Sequence, residues 1–208
     1  MEGSIAPRRP WDARLARWMI TPLIPTAIGP NVLTTARLLV GLAAVAAFAK
    51  SGYAYSNLAA LLVVVSNVLD HTDGELARAA GKSSRFGHLY DLWSDALIHV
   101  LLFVGIGIGL RHGELGEWAI LMGLVSGFAV TLIFWLRLRI ETAVGKSGVK
   151  QPSWGGFEAE DVLYLLPLVT LADGLHRFLL LAAIGAPAFL IWVVFESLRL
   201  LPPKMQRS

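Results

Sequence analysis

The chain has 208 residues, of which 55% are hydrophobic and 16% are charged, and it contains no cysteine. This composition excludes an ordinary soluble domain, a disulfide scaffold and thiol chemistry, and it indicates an integral membrane protein. The formal net charge is only +3, the length fits a single domain, residues 1–208, and we expect no nucleic-acid partner.

The N-terminal region predicts an interfacial helix followed by the first membrane span. Residues 8–24, RRPWDARLARWMITPLI, alternate arginines with aromatic and aliphatic residues, a pattern typical of an amphipathic helix that lies in the membrane interface. Pro30 suits a helix start, and apolar residues then continue to Phe48. Arg37 lies about two turns inside this span, where it could equally extend back to the headgroups or reach toward a phosphate. The first ten residues lack a signal-peptide pattern, so we expect the first span to direct insertion.

Further apolar stretches predict an all-α integral membrane protein with six transmembrane helices, a bundle that covers residues 30–201. The second to fifth spans are expected at 54–79, 85–110, 117–141 and 157–172, and the sixth follows residues 173–176 and ends near 201. Six crossings place both termini on the same side of the membrane. Gly123 and Gly127 form a GxxxG pattern, which favours either packing within one subunit or a dimer contact.

The distribution of lysine and arginine orients the bundle. Three of these residues lie on the side opposite the termini, Lys50, Arg111 and Arg177. Fourteen lie on the side that holds both termini: Arg8, Arg9, Arg14, Arg17, Arg78, Lys82, Arg85, Arg137, Arg139, Lys146, Lys150, Arg199, Lys204 and Arg207. Positive residues accumulate on the cytoplasmic side of membrane proteins. We therefore expect a multi-pass protein of the inner (cytoplasmic) membrane, with both termini in the cytoplasm.

Four aspartates stand where the second and third spans meet this cytoplasmic side. Asp70 and Asp73 are three residues apart and Asp91 and Asp95 are four apart, so each pair shares a helix face. Ionised groups are costly at membrane depth unless a cation is bound. Carboxylates suit magnesium or manganese, and two such ions about 4 Å apart can clamp a pyrophosphate. The spacing therefore predicts a site for two divalent ions.

The aspartates belong to a longer motif, Asp70-x-x-Asp73-Gly74-x-x-Ala77-Arg78, eight residues, then Gly87-x-x-x-Asp91-x-x-x-Asp95. This pattern, together with the size and six-helix layout, resembles the class I CDP-alcohol phosphotransferase family, over spans one to four. The resemblance implies a single membrane domain for phospholipid biosynthesis. It also implies metal-dependent transfer of a substituted phosphate from a CDP-linked donor to an alcohol hydroxyl, with release of CMP. We favour CDP-diacylglycerol as donor, a small polar alcohol as acceptor, and a homodimer.

The resemblance also assigns roles within the motif. Asp70, Asp73 and Asp91 would be metal ligands, and Asp95 would contact the second metal and act as the general base. The residues that would hold the CDP moiety are Asn31, Thr34, Gly74, Arg78 and Ser84. Two of these also make chemical sense by themselves, because Gly74 permits close approach of a substrate and the Arg78 guanidinium can grip a phosphate in two places.

Acceptor contacts are expected near Arg137 and Glu158. Related enzymes hold the alcohol with a basic residue near Arg137, although arginine is also common at a cytoplasmic helix end. The acids Glu158, Glu160 and Asp161 stand where phosphatidylinositol-phosphate synthase-like members have arginines. They could equally cap a helix start or recognise the acceptor. If they face the pocket, they favour a neutral polyol or a cationic amino alcohol over a phosphorylated acceptor.

Other interpretations remain open at this point. A CDP-linked amino alcohol could donate to diacylglycerol through the same site. A cation carrier or a non-catalytic membrane scaffold would also place acids in a bundle, but the broken helices and repeated halves of a transporter are not evident. His71, His88 and His99 could add metal ligands, although hydrogen-bonded interfacial histidines are the simpler interpretation. Glu75 could orient an acceptor or pair with Arg78 or Arg85.

Overall fold

The computed structural model describes residues 18, 20–22, 24–26, 29–145 and 163–201. All regular structure in these ranges is helical. The helices are α1 (Pro30–Lys50), α2 (Tyr53–Ala79), α3 (Arg85–Leu110), α4 (Trp118–Val144), α5 (Leu166–Leu171) and α6 (Leu175–Leu200). The predicted all-α class is therefore confirmed for the described part of the chain.

Five of these helices, all except α5, are long and apolar enough to cross a membrane. Large apolar side chains such as Trp93 and Leu181 are about three-quarters exposed, as lipid-facing residues would be. The multi-pass membrane prediction is therefore confirmed. Of the predicted fifth span, residues 157–162 lie outside the described ranges, and one 3₁₀ turn at 163–165 leads into the six-residue α5. The sixth crossing and the amphipathic segment, of which only residues 18, 20–22 and 24 are described, stay predictions.

Tight connections between α1, α2 and α3 set the geometry of the motif. Ser51 and Gly52 both adopt positive φ, 64° and 93°, and turn the chain from α1 into α2. Ser84 caps α3, because its hydroxyl accepts a 2.9 Å hydrogen bond from the Gly87 N–H. Since only residues 80–84 separate α2 from α3, the end of α2 and the start of α3 lie at the same end of the bundle.

Close approach between α3 and α4 depends on glycine. A Cβ at Gly123 would overlap the carbonyl oxygen of Phe103, and one at Gly127 would lie 2.9 Å from the Cα of Val100. Both glycines of the GxxxG pattern therefore face α3 of the same chain, which agrees with packing inside one subunit. The homodimer stays a prediction.

A shared apolar core holds the helices together. Helix α1 packs against α2 and α3, α4 packs against α3 and α6, and α5 packs against α2. Buried side chains at the centre of this core include Phe48, Leu102, Phe103, Leu166 and Leu179. The three helices that carry the motif are thus fixed side by side, and the start of α1 lies beside the end of α2 and the start of α3.

Candidate metal and nucleotide site

Three of the four predicted carboxylates converge. One oxygen each from Asp70 on α2 and from Asp91 and Asp95 on α3 lie within 4.8 Å of one another. We call Asp70, Asp91 and Asp95 the carboxylate trio. Their side chains are 31%, 33% and 37% exposed, respectively. The trio is therefore open enough to admit an ion or a substrate while remaining anchored on two packed helices.

Asp73 has a different environment from the trio. It is only 4% exposed, and its carboxylate accepts a 2.7 Å hydrogen bond from the hydroxyl of Thr34 on α1. Thr34 is among the residues expected to hold CDP, and its hydroxyl bonds to Asp73 and to the Pro30 carbonyl. The pair links the motif on α2 to the first turns of α1.

Arg37 lies against the trio. Its Nη1 pairs with Asp70 at 2.5 Å and also with Asp95, and its Nη2 pairs with Asp91 at 2.9 Å. Nη2 also donates to the Asp91 carbonyl at 3.3 Å. Arg37 is 4% exposed, so its guanidinium is shielded from water, while the carboxylates that it pairs with remain partly exposed. The sequence left this side chain between the headgroups and a phosphate, and the structure places its guanidinium against the three carboxylates.

Charge around the site is not balanced by Arg37 alone. Four aspartates gather there, and among the described residues Arg37 is the one cation in an ion pair with them. Three formal negative charges are therefore left over at the edge of an apolar bundle. Uncompensated charge at membrane depth is unfavourable, so the four carboxylates favour the binding of further cations.

The carboxylate trio fits a divalent ion in both chemistry and spacing. Hard cations such as Mg²⁺ and Ca²⁺ bind oxygen ligands at roughly 2.0–2.6 Å, so two ligands on opposite sides of one ion are separated by about twice that distance. The 4.8 Å limit on the trio is of this size. An ion of this class would be held by Asp70, Asp91 and Asp95.

Two residues expected to hold CDP meet at Gly87. A Cβ at this position would lie 2.9 Å from Asn31 Oδ1 and 3.0 Å from Ser84 Oγ. The lack of a side chain at Gly87 therefore lets the start of α1 approach the start of α3. Asn31 and Ser84 are brought together beside the helix that carries Asp91 and Asp95.

Arg78 and Gly74 lie together on α2 but face outward. The Arg78 guanidinium lies 3.5 Å from where a Cβ of Gly74 would be, and it pairs with Glu75 at 2.9 Å. The Arg78 side chain is 67% exposed. Arg78 is one of the two arginines that the sequence offered as partners of Glu75. Its exposed guanidinium is accessible to an anionic ligand.

Arg137 is buried between α4 and α6. Its Nη1 lies 3.1 Å from Glu196 Oε2, and its guanidinium lies 5.0 Å from the Trp192 ring centre and 5.7 Å from that of Phe189. The antiparallel register of α3 and α4 places it at about the depth of Asp91. Glu158, Glu160 and Asp161, the other expected acceptor residues, lie outside the described residues.

The sequence did not predict the contacts of Arg37 with the trio, or which polar residues lie near it. A small cavity beside the trio is lined by Arg37, Asp95, Ser66, Asn67 and His99, among others. A signal for Arg37 did exist, because Asn31, Thr34 and Arg37 recur every three residues on one face of α1. His71 and His99 each bond a backbone carbonyl four residues earlier, at 2.9 and 2.8 Å, as expected for hydrogen-bonded histidines.

Two curated proteins are similar to this chain in sequence. Cholinephosphotransferase 1 of Danio rerio is 31% identical over 127 residues, which cover 57% of this chain and 33% of that protein. CDP-diacylglycerol–serine O-phosphatidyltransferase of Helicobacter pylori is 30% identical over 98 residues, 46% of this chain and 40% of that protein. The chain thus spans less than half the length of these curated relatives.

A solved structure shares the fold. The phosphatidylinositol phosphate synthase of Mycobacterium tuberculosis with CDP-DAG bound superposes with a TM-score of 0.53 and 21% identity, over 92% of each chain. The family model for CDP-alcohol phosphatidyltransferase matches residues 27–196, which include α1 to α5, most of α6 and every aspartate of the site. The resemblance drawn from the motif is confirmed, and the chain belongs to the CDP-alcohol phosphatidyltransferase family.

Proposed function

We propose that this protein transfers a substituted phosphate group from a CDP-linked donor to the hydroxyl of a small polar alcohol, with release of CMP. CDP-diacylglycerol is the donor we favour. The observation that carries the proposal is the carboxylate trio, which lies at the junction of α2 and α3 and is unbalanced in charge. The family match and the relatives named as phosphatidyltransferases support it.

In such a reaction Asp95 would act as the general base. Asp95 is the most exposed member of the trio, so an acceptor hydroxyl can reach its carboxylate, which would take the hydroxyl proton. The acceptor oxygen then forms a bond to the phosphorus that carries the lipid group. The bond from that phosphorus to the CMP oxygen breaks, and CMP leaves with the electron pair.

Divalent cations, for which we propose two ions of Mg²⁺ or Mn²⁺, would neutralise charge on the diphosphate when bound. Asp70, Asp91 and Asp95 would hold them, and Asp73 would join them on release of its Thr34 hydrogen bond. Oxygen ligands from four carboxylates match the preference of these hard ions.

The CDP moiety would bind across the ends of α1, α2 and α3. Asn31 and Ser84 offer polar groups around Gly87, while Gly74 leaves space below the exposed Arg78 guanidinium. Arginine suits this position because its planar fork can pair with two phosphate oxygens. Thr34, at the same end of α1, would also contact the CDP moiety.

We propose acceptor contacts from Arg137 and Glu158. Arg137 lies at the depth of Asp91 and carries a buried guanidinium whose terminal nitrogens make no hydrogen bond of good geometry with any described group. An acceptor site that combines the positive Arg137 with the negative Glu158 would favour a neutral or zwitterionic alcohol over a phosphorylated one.

A second donor assignment has one specific observation in its favour. The relative from Danio rerio is named a cholinephosphotransferase, and its similarity covers more of this chain than that of the serine O-phosphatidyltransferase. In this alternative a CDP-linked amino alcohol donates to diacylglycerol, with the same aspartates in the same roles.

The membrane arrangement that accompanies this function has six spans, an interfacial N-terminal helix and cytoplasmic termini, in a homodimer of the inner membrane. Lys82 lies in the connection between α2 and α3, and Arg85 is the first residue of α3. Positive loop residues there favour a cytoplasmic site, where CDP-linked substrates would be supplied.

CMP release tests the proposal directly. The full chain in lipid nanodiscs is supplied with CDP-diacylglycerol and Mg²⁺ or Mn²⁺, and neutral polyols, amino alcohols and phosphorylated alcohols are added one at a time. We expect CMP only when metal and one class of alcohol are both present. A parallel series offers CDP-linked amino alcohols with diacylglycerol. Absence of metal-dependent CMP release in both series would contradict the proposed function.

A further inference from the structure

We propose that Arg37 is the resident counter-cation of the carboxylate trio, which an incoming divalent ion must displace. Arg37 would then be a positioning residue that sets how tightly the site binds metal, acting through the aspartates. The inference rests on the proposed metal-dependent function. It assigns a role to a residue of α1 that lies outside the aspartate motif.

The contacts of Arg37 cover every member of the trio. Nη1 pairs with Asp70 and Asp95, and Nη2 pairs with Asp91. Each contact uses one carboxylate oxygen, which is also what each residue would offer to an ion. A guanidinium and a metal ion therefore compete for the same set of ligands.

The surroundings of Arg37 leave it no other anion. Its Nε is buried and has no hydrogen-bond partner in the described part of the chain, so the donated bonds go to the trio and to the Asp91 carbonyl. The Ser66 hydroxyl bonds to the Arg37 carbonyl at 3.2 Å and helps hold this turn of α1. Without metal, the guanidinium is thus tied to the aspartates by charge and by burial.

Two opposing effects decide the sign of the outcome. Arg37 draws three carboxylates together, which lowers the cost of ordering them for a metal. The same guanidinium repels a divalent ion at contact distance in a poorly screened environment, and this repulsion exceeds the cost of ordering short aspartate side chains on packed helices. Loss of the positive charge should therefore tighten metal binding.

The test measures Mn²⁺ binding to the full chain in nanodiscs, with no donor or acceptor, by the electron paramagnetic resonance signal of free Mn²⁺. Variants are Arg37→Gln, which removes the charge, and Arg37→Lys, which keeps it but loses the fork that reaches three carboxylates. Arg139→Gln is the matched control, because Arg139 lies over the Trp135 ring, 4.3 Å from its centre, and is in no ion pair with the trio.

We expect Arg37→Gln to bind Mn²⁺ about tenfold more tightly than the wild type, with Arg37→Lys between the two. Arg139→Gln should stay within about twofold of the wild type, because the partly exposed Arg139 forms no ion pair with the trio and its charge is screened by solvent. Equal or weaker binding by Arg37→Gln would overturn the proposal. An equal tightening by Arg139→Gln would also overturn it, since the effect would then be general charge.

Two measurements keep the outcome clear. If Arg37→Gln does not fold, Arg37→Lys decides, because its Mn²⁺ affinity must still exceed that of the wild type. The CMP release of the wild type is measured separately. An active wild type with unchanged Mn²⁺ affinity in the Arg37 variants refutes only the role of Arg37. Shifted affinity in a chain that never releases CMP refutes only the proposed function.

Discussion

Two buried arginines lie within the apolar helices of this protein, and their surroundings differ. Arg37 on α1 is 4% exposed and shared among three carboxylates from α2 and α3. Arg137 on α4 is 8% exposed and faces one carboxylate, Glu196 on α6. Both are costly to bury, and each is compensated by acids on neighbouring helices.

The two arrangements differ in charge balance. Around Arg137 one guanidinium meets one carboxylate, and the Trp192 and Phe189 rings add cation–π contacts. Around Arg37 acids outnumber the guanidinium, and the acids keep about a third of their surface exposed. A balanced and stacked pair stabilises a helix contact, whereas an unbalanced and accessible cluster can accept cations. The comparison therefore separates a balanced ion pair, which stabilises the α4–α6 contact, from an unbalanced cluster, which is the candidate metal site.

Asp95→Asn should give the largest effect. The amide cannot accept the hydroxyl proton, so we expect CMP release to fall by about 10²–10⁴-fold. Thermal unfolding and CDP binding should change little, because Arg37 keeps Asp70 and Asp91 as partners and Asn has nearly the same shape as Asp. Turnover with CDP-diacylglycerol, the unfolding midpoint and CDP binding are measured on the same preparation.

Asp173→Asn provides the control for this substitution. Asp173 lies in the turn between α5 and α6 with φ of 49°, a conformation that Asn also adopts readily. Its turnover should match that of the wild type. Normal turnover by Asp95→Asn would show that Asp95 is not the base.

Arg137→Met tests the balanced pair. Removing one partner leaves Glu196 buried without its counter-charge, and we expect a loss of about 3 kcal/mol in the free energy of unfolding. The double variant Arg137→Met, Glu196→Met should recover a large part of this loss. Unfolding in mixed micelles is measured for the wild type, for Arg137→Met and Glu196→Met alone, and for the double variant. A single variant as stable as the wild type would show that the pair adds nothing to the α4–α6 contact.

Asp70→Ala probes the trio from α2. Loss of one charged oxygen ligand should raise the metal concentration needed for half-maximal CMP release by about 10–100-fold, since hard divalent ions depend on carboxylate ligands. The same loss leaves Arg37 with two carboxylate partners, so the fold should persist. A titration with Mn²⁺ and with Mg²⁺ measures the shift. An unchanged metal requirement would exclude Asp70 as a ligand.

The arrangement of the motif was accessible from sequence because short-range rules govern it. Spacings of three and four residues fix a helix face, and the short link between α2 and α3 fixes which ends meet. The convergence of Asp70, Asp91 and Asp95 follows from those two facts. Hydropathy likewise predicts α1 to α4 and α6, since length and apolar composition decide membrane insertion.

Contacts between distant segments were harder to infer. Arg37 and Asp95 are 58 residues apart, and nothing in their spacing shows that α1 lies beside α3. The Thr34 bond to Asp73 and the Arg137 pair with Glu196 depend on the same kind of tertiary packing. Helix periodicity gives the face on which a residue lies, but the neighbour of that face is set by the whole bundle.

The smallest effect on stability should come from the surface pair of Glu75 and Arg78, in which the Arg78 side chain is 67% exposed and that of Glu75 is 17% exposed. Exposed ion pairs contribute about 0–1 kcal/mol, so Glu75→Gln and Arg78→Gln should each unfold within about 1 kcal/mol of the wild type. Both variants break the same ion pair, and only Arg78→Gln removes the cation that would hold a phosphate. We therefore expect the KM for the donor to rise about tenfold in Arg78→Gln and to stay unchanged in Glu75→Gln. Equal KM values in both variants would show that Arg78 serves the ion pair alone.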